Sequence, residues 1–214
     1  VPGKLYPVDI SFAPIPPSVR PISLPQHIAT LVRRVLDGDE DPGDILVFLP
    51  GIEEIRRTIR ELEPLASSRD LAILPLHGSL PFDAQARVLE QMPQRKVILS
   101  TNIAETSLTI DGVRTVIDSG LARVPSYDPR RGMDRLELKR VSRASATQRA
   151  GRAGRTAPGQ CIRLWSAAED KNLKPFELPE VHRIDLCSAI LHLHEWGESD
   201  PRQFAWLEPP PEHM

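Results

Sequence analysis

The chain has 214 residues, with 27 Lys and Arg against 29 Asp and Glu and a formal net charge of −2. That near-balance excludes a bulk basic field, so any binding of nucleic acid must rest on local patches. Hydrophobic residues at 40% and charged residues at 26% provide for a real core, in one domain of ordinary size or one domain with part of a second.

The two cysteines, Cys161 and Cys187, make no disulfide framework and fit a reducing compartment. Each reads as a small buried hydrophobe. No apolar run approaches a membrane span, and the start lacks a charged-then-apolar signal pattern. A cytoplasmic protein without membrane partners is expected. The opening Val1-Pro2-Gly3 has no initiator methionine, which leads us to expect a piece of a longer protein.

Along the chain, the dense prolines Pro14, Pro16, Pro17, Pro21 and Pro25 predict an extended leading segment. A helical pattern covers residues 26–36 and stops at the turn-rich residues 37–43. Residues 45–49 read as a buried strand and 52–62 as a helix. A strand at 71–74 precedes a helix at 81–91, where Pro81 suits the first turn. Strands follow at 97–99 and 115–117. Residues 121–140 hold two alternating arms around Asp128-Pro129-Arg130-Arg131-Gly132 and predict a β-hairpin projecting from the sheet. A last strand spans 159–164, and Asp185 is positioned to cap a helix reaching about Trp196. Continuous apolar strands separated by helices imply an α/β fold, a mainly parallel open sheet covered on both faces. Trp165, Trp196 and Trp206 read as packing residues.

Three polar segments carry chemistry. Pro50-Gly51-Ile52-Glu53-Glu54 leads into a helix whose free amides can take a phosphate, and serves equally as a plain helix start. Residues 100–111, Ser-Thr-Asn-Ile-Ala-Glu-Thr-Ser-Leu-Thr-Ile-Asp, follow a buried strand with small hydroxyls and an amide. Such groups suit phosphate and sugar, or a capping network. The third segment is Gln148-Arg149-Ala150-Gly151-Arg152-Ala153-Gly154-Arg155. On a helix, Gln148, Arg152 and Arg155 fall at i, i+4 and i+7, one stripe, with Arg149 rotated off it. Two guanidiniums and an amide match a polyphosphate and its attacking water. Gly151 and Gly154 each cost about 1 kcal/mol in a helix interior, so a close backbone approach is expected there. A solvated basic helix face is the plainer reading of such an octamer.

Taken in order, residues 46–51, 100–111 and 148–155 resemble motifs IV, V and VI of the DEAH-box helicases. The resemblance covers nearly the whole chain, from about Tyr6 to Pro211, and is nearest the bacterial HrpB-type branch. It implies a RecA-like second motor domain over residues 1–172, with its hairpin at about 121–140. Residues 173–214 would begin a truncated winged-helix domain. By motif position, Arg152 and Arg155 would be arginine fingers and Gln148 would place the attacking water. Ser107 would sense the γ-phosphate and Asp111 would sit near the ribose. Gly51, Thr101 and Asn102 would touch the backbone of a bound strand, and the hairpin would guide or split it. The family often stacks an aromatic ring on the base where this chain has Leu89, so preference for adenine is open.

The chain contains no G-x-x-x-x-G-K-[ST] loop and no Asp-Glu-x-His box. ATP with Mg²⁺ would therefore be bound mainly by a preceding RecA-like domain, and the isolated chain is expected not to hydrolyse it. The resemblance favours single-stranded RNA as partner, with DNA open. A non-catalytic RecA-like binding or scaffold module is the rival reading. His192 and His194 are two apart and poor joint ligands, and no resident metal is expected.

Overall fold

The computed structural model describes residues 6–16, 23–38, 43–106, 109–128 and 130–210. Its strands are β1 (Val8–Phe12), β2 (Asp44–Phe48), β3 (Leu71–Leu76), β4 (Arg95–Ser100), β5 (Val113–Asp118), β6 (Leu121–Asp128), β7 (Met133–Arg140) and β8 (Gly159–Arg163). Its α-helices are α1 (Leu24–Gly38), α2 (Ile52–Arg69), α3 (Phe82–Arg87), α4 (Ile103–Thr106), α5 (Arg143–Ala150), α6 (Ala167–Lys171) and α7 (Cys187–Glu195). Two compact units result, one of residues 1–122 and 140–176, the other of residues 123–139 and 177–214.

In the first unit six strands form one sheet in the order β1-β8-β5-β2-β4-β3, and every pairing is parallel. Successive residues of a strand point to opposite faces. Ile45, Val47, Val97, Leu99 and Ile117 thus meet Ile28 and Val32 of α1 and Ile55 and Leu62 of α2. Leu46, Phe48, Ile98, Val116 and Cys161 line the other face with Ala104 of α4 and Ala150 of α5. Both faces are covered, which is why residues 45–48 of β2 and 97–99 of β4 are apolar without interruption.

Three elements depart from the sequence expectation. The leading segment contains a strand, β1, paired with β8 from Val8↔Gly159 to Phe12↔Arg163. Its Ile10 and Phe12 are 43% and 38% exposed, so this edge strand lacks the apolar run that marks the inner ones. Helix α2 does not stop at Leu62 but runs through Pro64 to Arg69, because Leu62 and Leu65 both bury against the core. Helix α3 ends at Arg87. Val88 is then buried, while Leu89 remains 44% exposed in the following turn.

At the end of β5, Gly120 has φ +70°, and a Cβ there would lie 2.6 Å from Trp165 Cε3. Glycine is required on both counts. Trp165 is buried and its indole donates to Asp170 Oδ1 at 2.9 Å. Trp196, expected to pack, is 79% exposed instead. Cys161 is the buried cysteine of the pair, its thiol pushed up to about 12, first by burial and then by Asp118. Cys187 is exposed, against expectation, because it opens α7 on the side away from Leu193, that helix's buried residue.

The second unit contains most of the expected hairpin, β6 and β7 paired as a two-stranded sheet. Its turn is closed by Gly132 N–H donating to Asp128 O at 2.9 Å, with Gly132 at φ +61°. Arg183 fastens the C-terminal segment of this unit. It donates to Pro125 O at 2.8 Å, and its carbonyl accepts from Tyr127 N–H at 2.6 Å. Asp185 Oδ1 accepts from Cys187 N–H at 2.6 Å, but the N-cap of α7 is Leu186, which makes no side-chain cap bond, so Asp185 braces the helix start from one residue further out.

Pro64 is exposed inside α2 and cannot donate to the carbonyl four residues earlier. Pro64→Ala is expected to raise stability by about 1–3 kcal/mol, the restored helical bond outweighing the entropy returned to the unfolded chain. Urea unfolding of the two proteins measures it, and an unchanged midpoint would refute it.

Candidate functional site

Parallel strands deliver their following loops to one edge of the sheet, where ligands of open α/β folds bind. Leu49 N–H donates to Ser100 O at 2.8 Å and Thr101 N–H to Leu76 O at 3.1 Å, lacing the ends of β2, β4 and β3 together. Gly51 precedes α2 there in extended conformation, φ −170°, without a side-chain cap on the helix. Thr101 is half-buried, and Asn102 is exposed at the start of α4, its carbonyl accepting from Glu105 N–H at 2.9 Å. These three expected nucleic-acid contacts therefore sit side by side on adjacent strand ends.

The arginine segment differs from the expected continuous helix. Helix α5 begins at the Ser142 cap, whose Oγ accepts from Ser145 N–H at 3.2 Å, and ends at Ala150. Beyond it the chain tightens into i→i+3 bonds, Arg152 N–H to Arg149 O at 3.1 Å and Gly154 N–H to Gly151 O at 3.3 Å. Gln148 is exposed on the helix, whereas Arg152 and Arg155 come from the turn. The close approach expected at the glycines is found at Gly154. A Cβ there would stand 2.6 Å from Tyr6 O and 2.7 Å from Val8 Cγ2, and Gly154 O accepts from Tyr6 N–H at 2.9 Å. The approaching body is the chain's own first strand. At Gly151 an added Cβ would meet nothing closer than 3.4 Å, so packing gives no reason for that glycine.

Arg152 and Arg155 are brought together by the segment after β4. Arg152 Nε donates to Glu105 O at 3.1 Å, and its Nη2 donates to the same carbonyl. Arg155 Nη1 donates to Thr109 Oγ1 at 2.6 Å. Burial first, and then the neighbouring charge of Arg155, hold the Arg152 pKa below the ordinary arginine value, with Glu105 opposing. It remains cationic at neutral pH. Two mutually repelling guanidiniums are thus fixed side by side, which is the electrostatic profile of an anion site. Ser107 lies outside the described residues. Asp111 is exposed in the turn that enters β5, at the sheet edge opposite Thr101.

Beneath these groups lies a buried ion cluster that sequence reading missed. Arg149 is 1% exposed and Asp118 is fully buried. Arg149 Nη1 donates to Asp118 Oδ1 and its Nε to Glu105 Oε2, both at 3.0 Å, with the guanidinium carbon 4.8 Å from the centre of the Phe48 ring. Burial alone would lower the Arg149 pKa, but Asp118 and Glu105 outweigh it and the net shift is upward. Asp118 Oδ1 also accepts from Gly120 N–H at 2.8 Å. Two signals were present in the sequence. Asp118 ends an apolar strand, and Arg149 falls off the polar stripe and therefore points inward.

Among the described residues no group of three or more His, Cys, Asp or Glu is placed to hold a metal ion. Among them, too, no helix is long and apolar enough to cross a membrane.

Comparison with known proteins identifies the family. The helicase conserved C-terminal domain family matches residues 26–157. The Escherichia coli ATP-dependent RNA helicase HrpB is 40% identical over 98% of this chain and 25% of its own length. The human probable ATP-dependent RNA helicase DHX34 is also 40% identical, over 99% of this chain and 19% of its own length. A crystal structure of the Escherichia coli DEAH/RHA helicase HrpB superposes with a TM-score of 0.87 at 39% identity, covering 98% of this chain and 26% of that one. The chain thus spans about a fifth to a quarter of these relatives' length.

Gly154→Ala is expected to force the arginine turn away from β1 and to cost about 1–3 kcal/mol. Urea unfolding that gave the same midpoint for both proteins would remove the packing explanation of this glycine.

Proposed function

This chain belongs to the helicase conserved C-terminal domain family, in its DEAH-type branch, and on that premise we propose that it is the second RecA-like motor domain of an ATP-dependent RNA helicase. The observation that carries the reading is the pairing of Arg152 with Arg155 on the Glu105 carbonyl and the Thr109 hydroxyl. In the full protein a preceding RecA-like domain holds ATP and Mg²⁺ with its phosphate loop and acidic box. Closure of the two domains brings Arg152 and Arg155 onto the phosphates, where charge builds up during transfer. Gln148 orients the attacking water, Ser107 senses the γ-phosphate and Asp111 lies near the ribose. Leu89 offers the base an apolar contact without ring stacking.

Gly51, Thr101 and Asn102 grip the backbone of single-stranded RNA, and the β6–β7 hairpin guides the strand. Such contacts predict salt-sensitive and largely sequence-independent binding, in which DNA competes. Residues 173–214 open a winged-helix domain. Opening of the cleft after hydrolysis shifts the gripping loops and steps the motor along the strand. The 214-residue chain alone, without the other wall of the cleft, does not turn over ATP.

RNA-stimulated ATP hydrolysis by the full-length protein is the test. Arg152→Ala is expected to lower kcat by on the order of 10³- to 10⁵-fold, with the fold intact by circular dichroism. Unchanged turnover would remove Arg152 from the reaction. A well-folded wild type inert toward ATP and RNA would favour a scaffold module instead.

A further inference from the structure

Arg149 is buried, as is Arg152 at 5% exposed, and it is bonded to the same residue that holds Arg152. Glu105 is gripped twice. Its carboxylate takes the Nε of Arg149 at 3.0 Å, and its main-chain carbonyl takes Nε and Nη2 of Arg152. Helix α4, which carries Glu105, is only four residues long, so its own backbone bonds give the carbonyl little rigidity. The stiffness comes from Arg149, anchored on its other side to Asp118 at 3.0 Å and to Leu121 O at 3.3 Å, within the end of β5 and the start of β6.

We propose that Arg149 is a positioning residue for phosphoryl transfer, setting the aim of Arg152 through Glu105. The chain of contacts runs Asp118–Arg149–Glu105–Arg152, from the sheet outward to the turn. Arg149 touches neither substrate nor the reacting atoms. A guanidinium is needed because it must serve two carboxylates in different directions from one rigid plane, which an ammonium on a flexible stem does not reproduce. The inference rests on the reading of Arg152 as a phosphate contact.

The test is a double-mutant cycle on RNA-stimulated ATP hydrolysis by the full-length protein. Arg149→Lys alone is expected to lower kcat by on the order of 10- to 100-fold, with the KM for ATP unchanged. In an Arg152→Lys background the same substitution should cost nothing further, because the aim it sets has already been lost. Equal losses in both backgrounds would mean a general fold effect and overturn the proposal, as would full activity of Arg149→Lys beside an impaired Arg152→Lys. Full activity of Arg152→Lys would overturn the reading of Arg152 itself, and this inference with it. If Arg149→Lys does not fold, Glu105→Gln tests the same link, since it keeps the main-chain carbonyl and weakens only the grip of Arg149. The same loss, absent on Arg152→Lys, is expected.

Discussion

A guanidinium sealed between two carboxylates under the arginine turn is the constraint on which the rest of this domain depends. Arg149 and Asp118 are both removed from water. Desolvation costs several kcal/mol per ion, and the mutual attraction repays it only when geometry and further hydrogen bonds are good. Here they are good for the arginine, whose Nε and Nη1 each meet a carboxylate at 3.0 Å with the ring of Phe48 closing one face, but Asp118 Oδ2 is buried without a hydrogen-bond partner. Such a cluster is a poor source of stability compared with apolar packing of the same volume. Its use is directional. It joins the end of β5, the short α4 and the end of α5 at one point, and these are the segments that present the charged groups of the site.

The sheet was legible because its signal is long-range in effect but local in pattern. The inner strands β2, β4 and β5 are apolar on both faces, which only a covered parallel sheet requires. The hairpin at residues 121–140 was legible too, since two alternating arms and a Gly-containing turn leave few other solutions. β1 was not. Its five residues alternate apolar and polar, but the run is short and lies beside a proline-dense stretch, and it pairs at the sheet edge with β8. The end of α2 was not legible either, since the helix passes through Pro64 to Arg69. The local penalty of proline is real, but burial of Leu62 and Leu65 on either side of it outweighs that penalty.

At the site, residue types and order pointed to phosphate chemistry, but the assumed geometry was too regular. A single helix would have put Gln148, Arg152 and Arg155 on one stripe. The glycines break that helix after Ala150, and a tighter turn delivers the two arginines. Nothing in the spacing identified Glu105 as the holder of Arg152, because it acts through a main-chain carbonyl, and carbonyls are common to every residue. The ion cluster escaped for the opposite reason. Arg149 was visible within the motif, but its partners lie 31 and 44 positions away, and one sequence without alignment does not pair them.

The seam between Tyr6 and Gly154 ties the first described strand to the arginine turn, and β1 continues from it along β8 in parallel register. The bonds of a parallel pair are evenly spaced and slanted along the strands. A pull transmitted in line with β1 therefore loads its five pairings together, in shear, rather than peeling them one at a time. Strand β1 is thus held as a tension member, and the arginine turn is bolted beside its first residues.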